Sequence, residues 1–87
     1  MSSEIKYTEL RIALAGQIRS ARIRRGMSQE DLAFRAGLHR TYISLVEGGK
    51  KSLTVDSLAR IASALDIKPS KLLATSEKRS SVKGGAK

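Results

Sequence analysis

Residues 28–47 read SQEDLAFRAGLHRTYISLVE, and they describe two short helices joined by a tight turn. Ser28 is a good N-cap, because its hydroxyl can accept a free N–H of the first turn. Asp31, three residues on, makes an acidic variant of the capping box. Leu32, Ala33 and Ala36 then recur at helical spacing. Gly37 follows at once, and a glycine there can take the left-handed conformation that closes a helix and turns the chain. Leu38 returns to the core. The next helix runs from about His39 to Glu47, with Ile43 and Val46 as its inward stripe. His39, Arg40, Thr41, Ser44 and Leu45 occupy its other face.

Small residues where helices cross, a turn glycine and a polar outward face on the second helix are what a helix-turn-helix requires. The pattern therefore points to a helix presented to the major groove of DNA. The alternative reading of the same residues is an αα-corner inside a helical bundle.

Composition narrows the choice. A chain of 87 residues implies one small domain with a modest core, a size at which dimerisation often adds stability. There is no cysteine, which excludes a disulfide framework and a thiolate metal site. The single histidine, His39, argues against a histidine-based site, so neither metal nor cofactor is expected. Tyr7, Phe34 and Tyr42 are too few rings for a single-strand stacking platform. No nucleophile–base pair, carboxylate pair or phosphate loop stands out, so an enzyme is not expected. No apolar run approaches membrane-spanning length, and the N-terminus lacks the apolar core of a signal peptide. A cytoplasmic, nucleoid-associated protein is expected.

The net charge is +9, from 17 Lys and Arg against eight acids. Residues 75–87 hold four of the cations and one acid, and residues 1–7 one of each, which leaves +6 on residues 8–74. Such an excess on the ordered part suggests a polyanionic partner.

In chain order, residues 1–7 read as a loose N-terminal arm. Thr8 reads as the cap of a first helix striped by Leu10, Leu14, Ile18 and Ala21, which ends at Gly26. Gly48 and Gly49 end the third helix, and Lys50, Lys51 and Ser52 form a basic turn. Thr54 caps a fourth helix, from Val55 to about Leu65, with Leu58, Ile61, Ala62 and Leu65 inward. Pro69 opens a short fifth helix that carries Leu72 and Leu73 and ends near Ala74. Residues 75–87, rich in Ser, Lys and Gly, read as a flexible tail. The organisation is thus an all-α domain over residues 8–74 between an arm and a tail.

SQEDLAFRAG, LHRTYISLVEGGKK, LTVDSLARIASALDI and PSKLL, taken together, resemble the lambda-repressor-like helix-turn-helix proteins, the group of the phage Cro and repressor DNA-binding domains. The resemblance covers about residues 10–74. Within that group the short length and the string HRTYIS are similar to the controller proteins of restriction–modification systems. Phage-type repressors, and antitoxins coupled to a protein partner, share much of the pattern and form the alternative.

The resemblance implies a five-helix fold, with Gln29 touching DNA backbone and bracing the third helix. It also implies an ion pair between Arg22 and Glu47. Arg40 is the leading base reader, since its planar fork can pair with guanine O6 and N7; a phosphate contact is its alternative. Thr41 can reach a base or a thymine methyl. Ser44 lies one turn after Arg40 on the same face. Tyr42 lies between the faces and suits a base, a phosphate or the core. His39, Lys50, Lys51 and Ser52 suit phosphates. One such helix reads few base pairs, so a homodimer on a palindromic operator is expected, with RNA polymerase blocked or recruited. The family places the dimer contact in the last helix, which makes Ile67, Leu72 and Leu73 the candidates.

Overall fold

The computed structural model describes residues 3–76, with side chains described from residue 7. Four helices run in order, α1 (Ser3–Arg24), α2 (Gln29–Ala36), α3 (Arg40–Glu47) and α4 (Val55–Ala64). A fifth, α5, occupies residues 69–76 at the end of the described chain. No strand occurs among the described residues, so the domain is all-α.

Local chemistry sets the breaks between helices. At the start of α2, the Ser28 hydroxyl accepts the Asp31 N–H at 2.9 Å and the Asp31 carboxylate accepts the Ser28 N–H at 3.0 Å. The backbone bond from Ser28, followed by that from its hydroxyl, holds the Asp31 carboxyl below its usual pKa. Gly37, at φ 70°, closes α2, and the Leu38 N–H returns to the Ala33 carbonyl at 2.9 Å. The same closure recurs after α3, where the Lys50 N–H reaches the Leu45 carbonyl across Gly49. After α4 it is Asp66, not a glycine, that takes φ 59°, with the Ile67 N–H on the Ala62 carbonyl. The Thr54 hydroxyl caps α4 by accepting the Ser57 N–H at 3.0 Å.

Three expected boundaries move. Residues 3–7 are helical rather than part of a loose arm, and Thr8 lies inside α1 rather than capping it. SEIKY contains neither Pro nor Gly, so nothing stops the helix from starting earlier. His39 is the N-cap of α3 rather than its first residue. Thr75 and Ser76 remain in α5, where Ser76 is fully buried and its hydroxyl donates to the Leu72 carbonyl at 2.8 Å. The flexible-tail expectation for residues 77–87 lies outside the described residues.

The core draws on every helix. Leu14, Ile18 and Ala21 of α1 meet Leu32, Ala33 and Ala36 of α2, Ile43 and Val46 of α3, Leu58, Ile61 and Ala62 of α4, and Leu72 of α5. The small Ala33 and Ala36 let α2 pack against both α3 and α4. With Ile43 fully buried and Val46 only 2% exposed, α3 can turn only one side outward.

Candidate nucleic-acid interface

That side carries Arg40, Thr41 and Ser44, all exposed, with Leu45 at their edge. His39 is also exposed and makes no side-chain capping bond. The first turn of α3 contains no acid, so the positive end of its dipole is not neutralised from within the helix. Beyond Glu47, the loop residues Lys50, Lys51 and Ser52 are exposed as well.

The base of α3 is held by a polar clamp. Arg22 donates from Nε to Glu47 Oε2 at 2.7 Å and from Nη2 to Oε1 at 3.0 Å. Its third contact runs from Nη1 to the Met27 carbonyl at 2.8 Å. Gln29 Nε2 donates to Glu47 Oε1 at 3.1 Å. The Glu47 side chain is 3% exposed and that of Arg22 12%. The hydrogen bond to Glu47 raises the already high Arg22 pKa, and the attraction of the carboxylate adds to it against the opposing effect of burial. The ion pair implied by the resemblance therefore exists as a forked, nearly dry contact that joins the last turn of α1 to the last residue of α3. Gln29 braces it from the first residue of α2.

Tyr42 is half-buried, with its ring against the core. Its hydroxyl donates to the Ser52 carbonyl at 3.4 Å, and Lys51 Nζ sits 5.9 Å from the ring centroid. This long hydrogen bond lies at an exposed position, so Tyr42 steadies the basic loop while its hydroxyl stays within reach of solvent. Two features escape sequence reasoning: the Met27 carbonyl as third acceptor for Arg22, and the link from Tyr42 to the loop. The second had a faint signal in the intermediate position of Tyr42 on the helix.

The residues expected at a dimer contact separate. Leu72 is 3% exposed and sits in the monomer's own core, which corrects its assignment to a partner surface. The stripe of a short helix must close the core before it can serve a neighbour. Ile67 is half-buried against the same core, and Leu73 is 37% exposed. Leu73 lines a shallow groove with Tyr7, 71% exposed, and Val55, 86% exposed. Among the described residues no cluster of His, Asp or Glu could hold a metal ion, and no helix is long and apolar enough to cross a membrane.

Residues 18–72 match the helix-turn-helix family. The control protein C.BamHI of Bacillus amyloliquefaciens is 40% identical over 65 residues, which span 74% of this chain and 80% of that protein. The crystal structure of the restriction–modification controller protein C.AhdI from Aeromonas hydrophila is similar, with a TM-score of 0.68 and 38% identity, over 70% of this chain and 92% of that one. The tetramer of the restriction–modification controller protein C.Esp1396I, solved in complex with its natural 35 base-pair operator, is also similar. Its TM-score is 0.74 at 34% identity, over 82% of this chain and 93% of that one.

Proposed function

The chain belongs to the helix-turn-helix family, with restriction–modification control proteins among its relatives, and from that premise we propose that it works as a homodimeric controller on a palindromic operator. It is a DNA-binding transcriptional regulator. The observation that carries the reading is the division of α3: Ile43 and Val46 are locked into the core, while Arg40, Thr41 and Ser44 face outward.

In this reading Arg40 reads guanine, and Thr41, Ser44 and the Tyr42 hydroxyl contact neighbouring base edges. His39, Gln29, Lys50, Lys51 and Ser52 hold phosphates on either side and set the register. The uncapped N-terminus of α3 adds free backbone N–H groups to the same task. Two copies place their third helices about one helical turn apart, roughly 34 Å, which doubles the sequence read. The dimer forms through Leu73, with Val55 and Tyr7 in the same groove, and through the half-buried Ile67. Bound near a promoter, the dimer blocks or recruits RNA polymerase. This work is done in the cytoplasm at the nucleoid, with no catalytic step.

The test compares two variants on cognate and random duplex. Arg40→Ala is expected to weaken cognate binding by about 1–3 kcal/mol and to relax specificity at one base pair. Lys51→Ala is expected to weaken both duplexes alike and to flatten the salt slope by about one unit. Equal losses on both duplexes for Arg40→Ala would remove it from base readout.

A further inference from the structure

Away from α2, α3 and the basic loop, a cleft of about 610 Å³ opens between the second half of α1 and the start of α5. Its volume lies in the range of sites that hold a small molecule. Arg24 and Arg25 wall it from α1, Lys68 and Lys71 from α5, and Asp66 is the one acid on its lining. None of these four cations forms an ion pair or a side-chain hydrogen bond among the described residues. Segments more than 40 residues apart in sequence thus bring a net +3 to one hollow.

A charged rim alone is common on a basic protein. The floor is less common. Gln17 is 9% exposed, lines the cleft, and its side-chain amide has no hydrogen-bond partner among the described residues. No side-chain nitrogen or oxygen there is both sealed from solvent and unpaired, so the Gln17 amide is open to the cleft it lines. Water in the cleft satisfies that amide in the free protein, and a polar ligand could take the water's place.

We propose that this cleft between α1 and α5 is a binding site for a small phosphate-bearing polyanion, with the Gln17 amide at its floor and Arg24, Arg25, Lys68 and Lys71 around it. Guanidinium forks and lysine ammonium groups both suit phosphate oxygens. The first turn of α5 adds the positive end of its dipole. The amide offers both a donor and an acceptor, which suits a diphosphate oxygen or the polar edge of a nucleoside. The chain after residue 76 carries four cations against one acid, so charge disfavours it as the occupant. A ligand here would join α1 to α5, the helix that presents Leu73. The proposal does not depend on the DNA reading, because the cleft shares no residue with that surface.

The test uses the full chain and two probes, inorganic pyrophosphate and ADP, against sodium chloride and sulfate at matched ionic strength. Each probe is expected to raise Tm saturably, by about 5–10 °C at roughly ten times its Kd. Pyrophosphate is also expected to shift the Gln17 side-chain NH₂ resonances in the unaltered protein. The double variant Arg25→Gln, Lys71→Gln is expected to weaken binding by tenfold or more. Tighter binding of ADP would assign the nucleoside to the site, and equal binding the diphosphate alone. Unmoved Gln17 resonances, a Tm rise that chloride or sulfate reproduces, or displacement of pyrophosphate by any DNA duplex would overturn the proposal.

Discussion

Glu47 gathers three donors with one carboxylate, two from Arg22 and one from Gln29. With 3% of its side chain exposed, it has little water to fall back on. Glu47→Ala would leave the Arg22 guanidinium with the Met27 carbonyl alone, and is expected to cost about 3–5 kcal/mol in urea unfolding. Gln29→Ala leaves the forked pair intact, so a much smaller loss, about 1 kcal/mol, is expected in the same measurement. The two carboxylates that matter to the scaffold were unequally legible in the sequence. Asp31 announces its role by lying three residues from Ser28. Glu47 lies 25 residues from Arg22, so only family resemblance joins them beforehand. Tyr42 was ambiguous for a related reason: its partner Ser52 belongs to a loop whose path depends on the whole fold.

Among the elements, α2 has a start that is sensitive to acid. Folding favours the ionised form of Asp31, because that form accepts the Ser28 N–H. The stabilisation is therefore complete above the ordinary aspartate value of about 3.9 and is lost as pH falls through the lowered one. Protection of the Ser28 and Asp31 amides against exchange, relative to the unstructured chain at the same pH, is expected to fall over that acid range, and Asp31→Asn is expected to remove most of the dependence. The end of α2 responds instead to backbone geometry. Gly37→Ala would hold an L-residue at φ 70°, with an expected loss of about 1–2 kcal/mol by thermal unfolding. Its new Cβ would meet only the flexible end of Arg60 at 3.1 Å, so the backbone term dominates. Helix ends marked by Gly37 and Gly49 were readable in advance, because few other residues enter that conformation. The start of α1 was not, because Thr8 has the chemistry of a cap and nothing before it breaks a helix. Leu72 and Leu73 were not separable either. Neighbours on a helix point about 100° apart, and a helix this short offers too few turns to fix which one faces inward.

For the molecule as a whole, core and assembly compete for a small stock of apolar side chains. Ile18 is fully buried at the centre of the cluster, and Ile18→Ala is expected to cost about 2–5 kcal/mol of stability. Leu73, Val55 and Tyr7 stay outside that cluster and form the apolar surface proposed above for a dimer contact. Leu73→Asp is therefore expected to leave the monomer folded by circular dichroism, to halve the mass seen by light scattering, and to abolish operator retention at nanomolar protein. A folded variant that still binds as a dimer would move the contact elsewhere.

The clamp around Glu47 leaves the exposed positions of α3 with no share in holding the helix in place. Arg40, Thr41 and Ser44 make no hydrogen bond to the rest of the chain through their side chains among the described residues. Operator preference should therefore behave as an exchangeable cassette: new side chains at these positions can be grafted without reinforcing the framework beneath them. A lineage of such proteins could diverge in target site while its melting temperature stays nearly constant.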